Sequence, residues 1–90
     1  DRNSRLFPLG QIVATPAAIS LTTETERKTF LHRHQIGSWE ETSREDRLEN
    51  MLGLFHDLRI FTVHSSEKGK VWIITEADRS ITTILTPDDY

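Results

Sequence analysis

His34, Arg79 and Thr82 are the side chains of this sequence best suited to chemistry at a phosphate. An imidazole titrates near neutral pH and can take a proton from a hydroxyl. A guanidinium beside threonine hydroxyls offers several hydrogen bonds to an anion whose charge grows in a transition state. Arg79 lies in the run Thr75-Glu76-Ala77-Asp78-Arg79-Ser80-Ile81-Thr82-Thr83, which gathers Glu76, Asp78 and Arg79 at one hairpin end. The expected catalytic set is His34, Arg79 and Thr82, with Thr75, Glu76 and Asp78 beside the substrate. A plain turn explains the same residues: Asp and Ser favour turns, an Asp–Arg pair braces one, and Thr forms strands.

Other chemistries find little support. His32 and His34 sit two apart, about 200° round a helix, and cannot share an ion. There is no His-Glu-x-x-His and no aspartate-rich calcium loop, so no metal is expected. Gly10, Gly37, Gly53 and Gly69 stand alone, without a phosphate-cradling loop or a nucleophile elbow, and no cofactor is expected. The chain has no cysteine, which removes disulfides, thiolate metal sites and a thiol nucleophile. Trp39, in a loop after His34, either staples that loop to the core or offers a stacking or partner-binding wall.

Ninety residues make a single domain, 1–90, burying roughly 60–65% of its unfolded surface. Eleven Lys and Arg against 14 Asp and Glu leave a net charge of −3. Broad phosphate-backbone binding needs more cations than that. Residues 38–50 hold Glu40, Glu41, Glu45, Asp46 and Glu49 against Arg44 and Arg47, an acidic stretch suited to a basic partner. No apolar run approaches the ~18–20 residues of a membrane helix, and a cytoplasmic protein without membrane contact is expected.

The elements that position these residues read from local chemistry. Residues 1–5 are polar and form a loose tail. Residues 6–57 form a mainly helical part, with a short edge strand near 11–14 ahead of its helices. Thr15-Pro16 opens a short helix ending at Ser20 or Leu21. Thr23 and Glu26 fit a capping box for a helix over 23–35, which Gly37 ends. Ser43 and Asp46 start the third helix. Its Leu48, Met51, Leu52 and Phe55, spaced i, i+3, i+4, i+7, are expected to pack inward, leaving Arg44, Glu45, Arg47 and Glu49 wet. From 58 to 86 the period becomes two: strands over 59–64, 70–76 and 81–85, with the middle strand central because both of its faces carry bulk. The expected fold is α+β, with two to three helices packed on a three-stranded antiparallel meander.

Two resemblances follow from these residues. Leu9-Gly10-Gln11-Ile12-Val13-Ala14-Thr15-Pro16-Ala17, Arg33-His34 with Gly37-Ser38-Trp39, and Trp72-Ile73-Ile74-Thr75-Glu76-Ala77-Asp78-Arg79-Ser80 with Pro87 and Tyr90 resemble a family of small bacterial proteins carried by plasmids and other mobile elements. This chain differs at Ser38 and Glu40, where that family tends to have Asp and Gly. The resemblance implies a genomic setting rather than a reaction. The order of elements is similar to the barnase–EndoU–colicin–RelE group of metal-free ribonucleases, an analogy of fold alone. It implies His34 as general base, Arg79 and Thr82 at the scissile phosphate, and Arg59 and Tyr90 as further contacts.

The expected function is an accessory protein of a mobile element. One form is a ribonuclease-like toxin acting on RNA and held by a cognate antitoxin. The other is a non-enzymatic inhibitor of a host defence complex, of anti-CRISPR or anti-restriction type. That form would bind a basic protein surface through Glu40, Glu41 and Glu45. A self-complementary edge strand could make a dimer.

Overall fold

Side-chain caps set where each helix begins. The computed structural model describes residues 5–90, so all but Arg5 of the expected tail lies outside the described residues. Helix α1, Pro16–Leu21, starts where the Thr15 hydroxyl accepts the Ala18 N–H, with proline at its first position. Helix α2, Glu24–Ile36, opens on the reciprocal capping box of Thr23 and Glu26. It stops at Gly37, whose φ of 84° favours a residue without a Cβ. Helix α3, Arg44–His56, begins where the Ser43 hydroxyl accepts the Asp46 N–H.

The strands are β1 (Gln11–Ala14), β2 (Ile60–Ser65), β3 (Lys70–Thr75) and β4 (Ile81–Leu85), ordered β1-β4-β3-β2. The expected meander is present, with β3 in its interior, and the short first strand joins it as an edge, parallel to β4. The fold is α+β. Among the described residues no helix is long and apolar enough to cross a membrane.

Strand alternation gives the sheet two unlike faces. One is covered by helices, with an apolar cluster of Ala18, Phe30, Val71, Ile73 and Ile84 and another of Phe7, Trp39 and Ile60. The other carries Phe61 and Trp72, ring centroids 5.1 Å apart. A 3-10 turn at Pro87–Asp89 folds Tyr90 onto Trp72. Asp89 pins that turn by accepting the Thr15 hydroxyl at 2.6 Å.

Helix α3 reverses its sequence expectation. Leu48, Met51 and Leu52 are about half exposed and Phe55 is 81% exposed, while Asn50 and Gly53 are buried. The helix docks beside the edge of β2 rather than over a sheet face, and an edge selects small and polar groups. Asn50 Nδ2 donates to the Phe61 carbonyl at 2.6 Å, and its Oδ1 accepts the Phe61 N–H at 2.9 Å. Next along the strand, Val63 N–H donates to the Thr42 hydroxyl and Ser65 N–H to Glu41. Covering those backbone groups without partners would cost about 1–3 kcal/mol each. Gly53 lets the helix approach: a Cβ there would lie 2.9 Å from Ile60 Cδ1 and 3.2 Å from the Leu58 and Arg59 carbonyl oxygens. The apolar stripe is left facing water.

This orientation fixes the sign of two substitutions. Helix propensity alone would make Gly53→Ala stabilising by about 1 kcal/mol. The close approach makes it destabilising, by about 1–3 kcal/mol in urea unfolding. Phe55→Ser should stay within about 0.5 kcal/mol of the parent, as a surface change does. A more stable Gly53→Ala protein, or a Phe55→Ser protein losing several kcal/mol, would contradict the docking of α3.

Candidate functional site

His34 stands in the last turns of α2 on the face that meets the sheet, and it has no exposed surface. Its Nδ1 lies 2.7 Å from Thr62 Oγ1 and its Nε2 2.8 Å from Thr75 Oγ1. Thr62 Oγ1 is also 2.8 Å from His64 Nε2. On the other side Thr75 Oγ1 is 2.8 Å from Thr82 Oγ1, which donates to the Leu9 carbonyl at 2.7 Å. Five side chains from α2, β2, β3 and β4 thus form one continuous row. Each of them is at most 2% exposed.

The carbonyl at the end gives the row a direction, because it can only accept. Thr82 spends its single proton on Leu9, so it must accept from Thr75. Thr75 then accepts from His34 Nε2–H. A neutral His34 has a lone pair at Nδ1, which takes the Thr62 proton, and Thr62 accepts in turn from His64 Nε2–H. With His34 neutral, both imidazoles carry an N–H at Nε2, and every bond in the row has one donor and one acceptor. No buried side-chain nitrogen or oxygen lacks a partner among the described residues.

Burial reinforces that protonation state. It pushes His34 down to about 3, helped by the positive charge of a protonated His64 and of Arg79. It pushes His64 down to about 4, with Glu41 and Glu40 pulling the other way and Arg33 adding to the fall. Phe30 stacks on His64 at 5.1 Å, and Phe7 meets the His34 ring edge-on at 5.3 Å.

Thr75 and Thr82 thus join His34 in one cluster, as structural hydrogen-bonders with their hydroxyls committed. Arg79 is close by but separated from it. Its guanidinium donates to the carbonyls of Leu58 at 2.7 Å, Gly53 at 2.9 Å and Glu76 at 3.1 Å, closing the C-terminal end of α3. Phe7 lies between, its ring 5.5 Å from the Arg79 guanidinium carbon and edge-on to His34. Asp78 accepts the N–H and hydroxyl of Ser80, which braces the turn. Arg59, Glu76 and Tyr90 meet on the opposite sheet face. Arg59 bonds the Tyr90 hydroxyl at 3.3 Å and Glu76 at 3.5 Å, beside a hollow of about 200 Å³.

Trp39 is 6% exposed and donates its Nε1–H to the His34 carbonyl at 2.9 Å, a staple rather than a wall. Glu40 accepts the Ser38 hydroxyl, which holds its carboxyl below the ordinary range. Glu41 accepts both donors of Ser65, and Glu45 stands exposed in the first turn of α3. Among the described residues no three His, Asp or Glu side chains are grouped to hold a metal ion.

Sequence reasoning missed Thr62, His64 and the outward face of α3. Thr62 and His64 share the buried side of β2 with Ile60, so polar residues at inward positions were the available signal. Beside the outward stripe, a hollow of about 520 Å³ opens between α3 and the Trp39 loop, lined by Leu6, Ile36, Trp39, Arg44, Leu48 and Met51 among others. Neither hollow is lined by His34, Arg79 or Thr82.

The row predicts acid lability with a definite sign. Both histidines have folded values below the ordinary 6.5, so the unfolded chain binds more protons and stability is lost as pH falls through 6.5 towards about 4 and 3. Urea unfolding should lose about 1.4 kcal/mol per pH unit for each histidine within that window. Imidazole 15N spectra at neutral pH should show Nε2–H for both rings. Stability unchanged between pH 7 and 5, or an Nδ1–H ring, would refute the assignment.

Compared with family models, with curated proteins and with solved structures, the chain gives no match in any of the three.

Proposed function

We propose that the protein is a non-enzymatic binding module that inserts α3 into an apolar groove, rimmed by Lys and Arg, on a partner protein. The observation carrying this reading is the outward stripe Leu48, Met51, Leu52 and Phe55 on a helix held from its opposite side. The spacing i, i+3, i+4, i+7 is how an amphipathic helix anchors in a groove. Phe55 supplies the large aromatic that dominates such contacts. Glu45 and Glu49 run along one flank, within the acidic stretch 38–50, and call for a basic rim. A second copy of α3 is the poorer occupant, because a two-fold antiparallel pair sets each acidic flank against itself.

Such a binder suits the setting that the family resemblance implies. An accessory protein of a mobile element would disable a host defence complex by occupying a basic surface meant for nucleic acid. The ribonuclease reading has less support. A general base must reach the proton it removes, and His34 is enclosed with Nδ1 already accepting from Thr62.

A photo-crosslinking residue at Phe55, with a second at exposed Lys28 as control, tests this in host-cell lysate. Position 55 should yield one protein adduct that position 28 does not. The cross-linked peptide should line an apolar groove with Lys or Arg at its rim. The charge reversal Glu45→Lys with Glu49→Lys should reduce the adduct at least tenfold. Equal labelling from both positions, or adducts only with a second copy, would overturn the reading. So would cleavage of total RNA by the purified protein that disappears in His34→Ala.

A further inference from the structure

The sheet's two edges are treated differently. Side chains of Glu41, Thr42 and Asn50 meet the outward backbone of β2. Among the described residues no strand or side chain does the same for β1. Its Gln11 N–H and the following Thr15 N–H donate to the Ser80 and Ile84 carbonyls of the β4 side. By strand alternation the N–H and C=O of Ile12 and Ala14 then point away from the sheet. The strand carries no charge, and Ile12 and Val13 are 48% and 37% exposed.

We infer that β1 pairs antiparallel with β1 of a second copy about a two-fold axis at Val13, joining two sheets into one of eight strands. The outward groups are self-complementary in this register. Ile12 exchanges both backbone bonds with Ala14 of the second copy, and Ala14 with its Ile12, for four hydrogen bonds. The large Ile12 side chain then lies opposite a small Ala14. On the other face the two Val13 side chains meet as a non-hydrogen-bonded pair, where Cα atoms approach to about 4.5 Å. An uncharged edge raises no like-charge penalty against its own copy. Helix α3 lies on the far edge of the sheet, so this pairing does not depend on the reading given to α3.

Val13→Cys tests the register directly, since the chain has no other thiol. In a glutathione redox buffer it should form a disulfide dimer at twice the 10.4 kDa chain mass, at least tenfold faster than Lys28→Cys. Sedimentation of the parent protein should show dimer growing with concentration. Ile12→Pro, which removes only an outward donor, should weaken it at least tenfold, and Phe55→Ser should leave it unchanged. Mixing Val13→Lys with Val13→Glu should restore a dimer that each alone lacks, which keeps the test alive if the proline variant fails to fold. Equal cross-linking at positions 13 and 28, a parent protein monomeric at every concentration, or dimer loss in Phe55→Ser alone would overturn the pairing.

Discussion

A carbonyl has no proton to give, and that fact at Leu9 orders the interior of this protein. From it the donors run backwards through Thr82, Thr75, His34, Thr62 and His64, crossing from the N-terminal segment through every strand of the meander and into α2. Polar groups in a low-dielectric interior are costly alone and strong when paired throughout. Here they are paired throughout. The two apolar clusters meet the row at different points, Phe30 stacked on His64 at one end and Phe7 edge-on to His34 at its middle.

Much of the architecture was legible because capping is local chemistry. Thr15-Pro16, Thr23 with Glu26, Gly37 and Ser43 each announce a helix boundary within four residues, and the structure puts the boundaries there. Alternation from residue 60 onward likewise marks the meander. The orientation of α3 was not legible. Periodicity says which residues share a face and is silent about what that face meets. Leu48, Met51, Leu52 and Phe55 form the better apolar stripe, yet Asn50 and Gly53 match a strand edge, a partner set by tertiary structure.

The expected site comes together only in part, for a related reason: His34, Thr75 and Thr82 meet, while Arg79, Glu76 and Asp78 stand apart from them. Grouping Thr75, Glu76, Asp78, Arg79 and Thr82 treats nearness along the chain as nearness in space. Alternation sends Thr75 and Thr82 inward, while Glu76 joins Arg59 and Tyr90 on the far face. Arg79 turns back to carbonyls at positions 53 and 58, far upstream. No local pattern encodes that reach. The same reach anchors α3: Arg79, Asn50 and Thr42 hold its inner side and surroundings, and its outer side is left exposed.

The one-way row also dictates the order in which its members can be lost. Losing His64 removes only a proton offered to Thr62, which can still serve His34. Losing Thr62 leaves an N–H without an acceptor on one side and a lone pair without a donor on the other. Erosion can therefore proceed from the His64 end inward, one member at a time, whereas a methyl-for-hydroxyl exchange at Thr62 or Thr75 opens a gap that no single later change closes. The direction of five protons becomes a rule for which ancestral and descendant sequences can share this core.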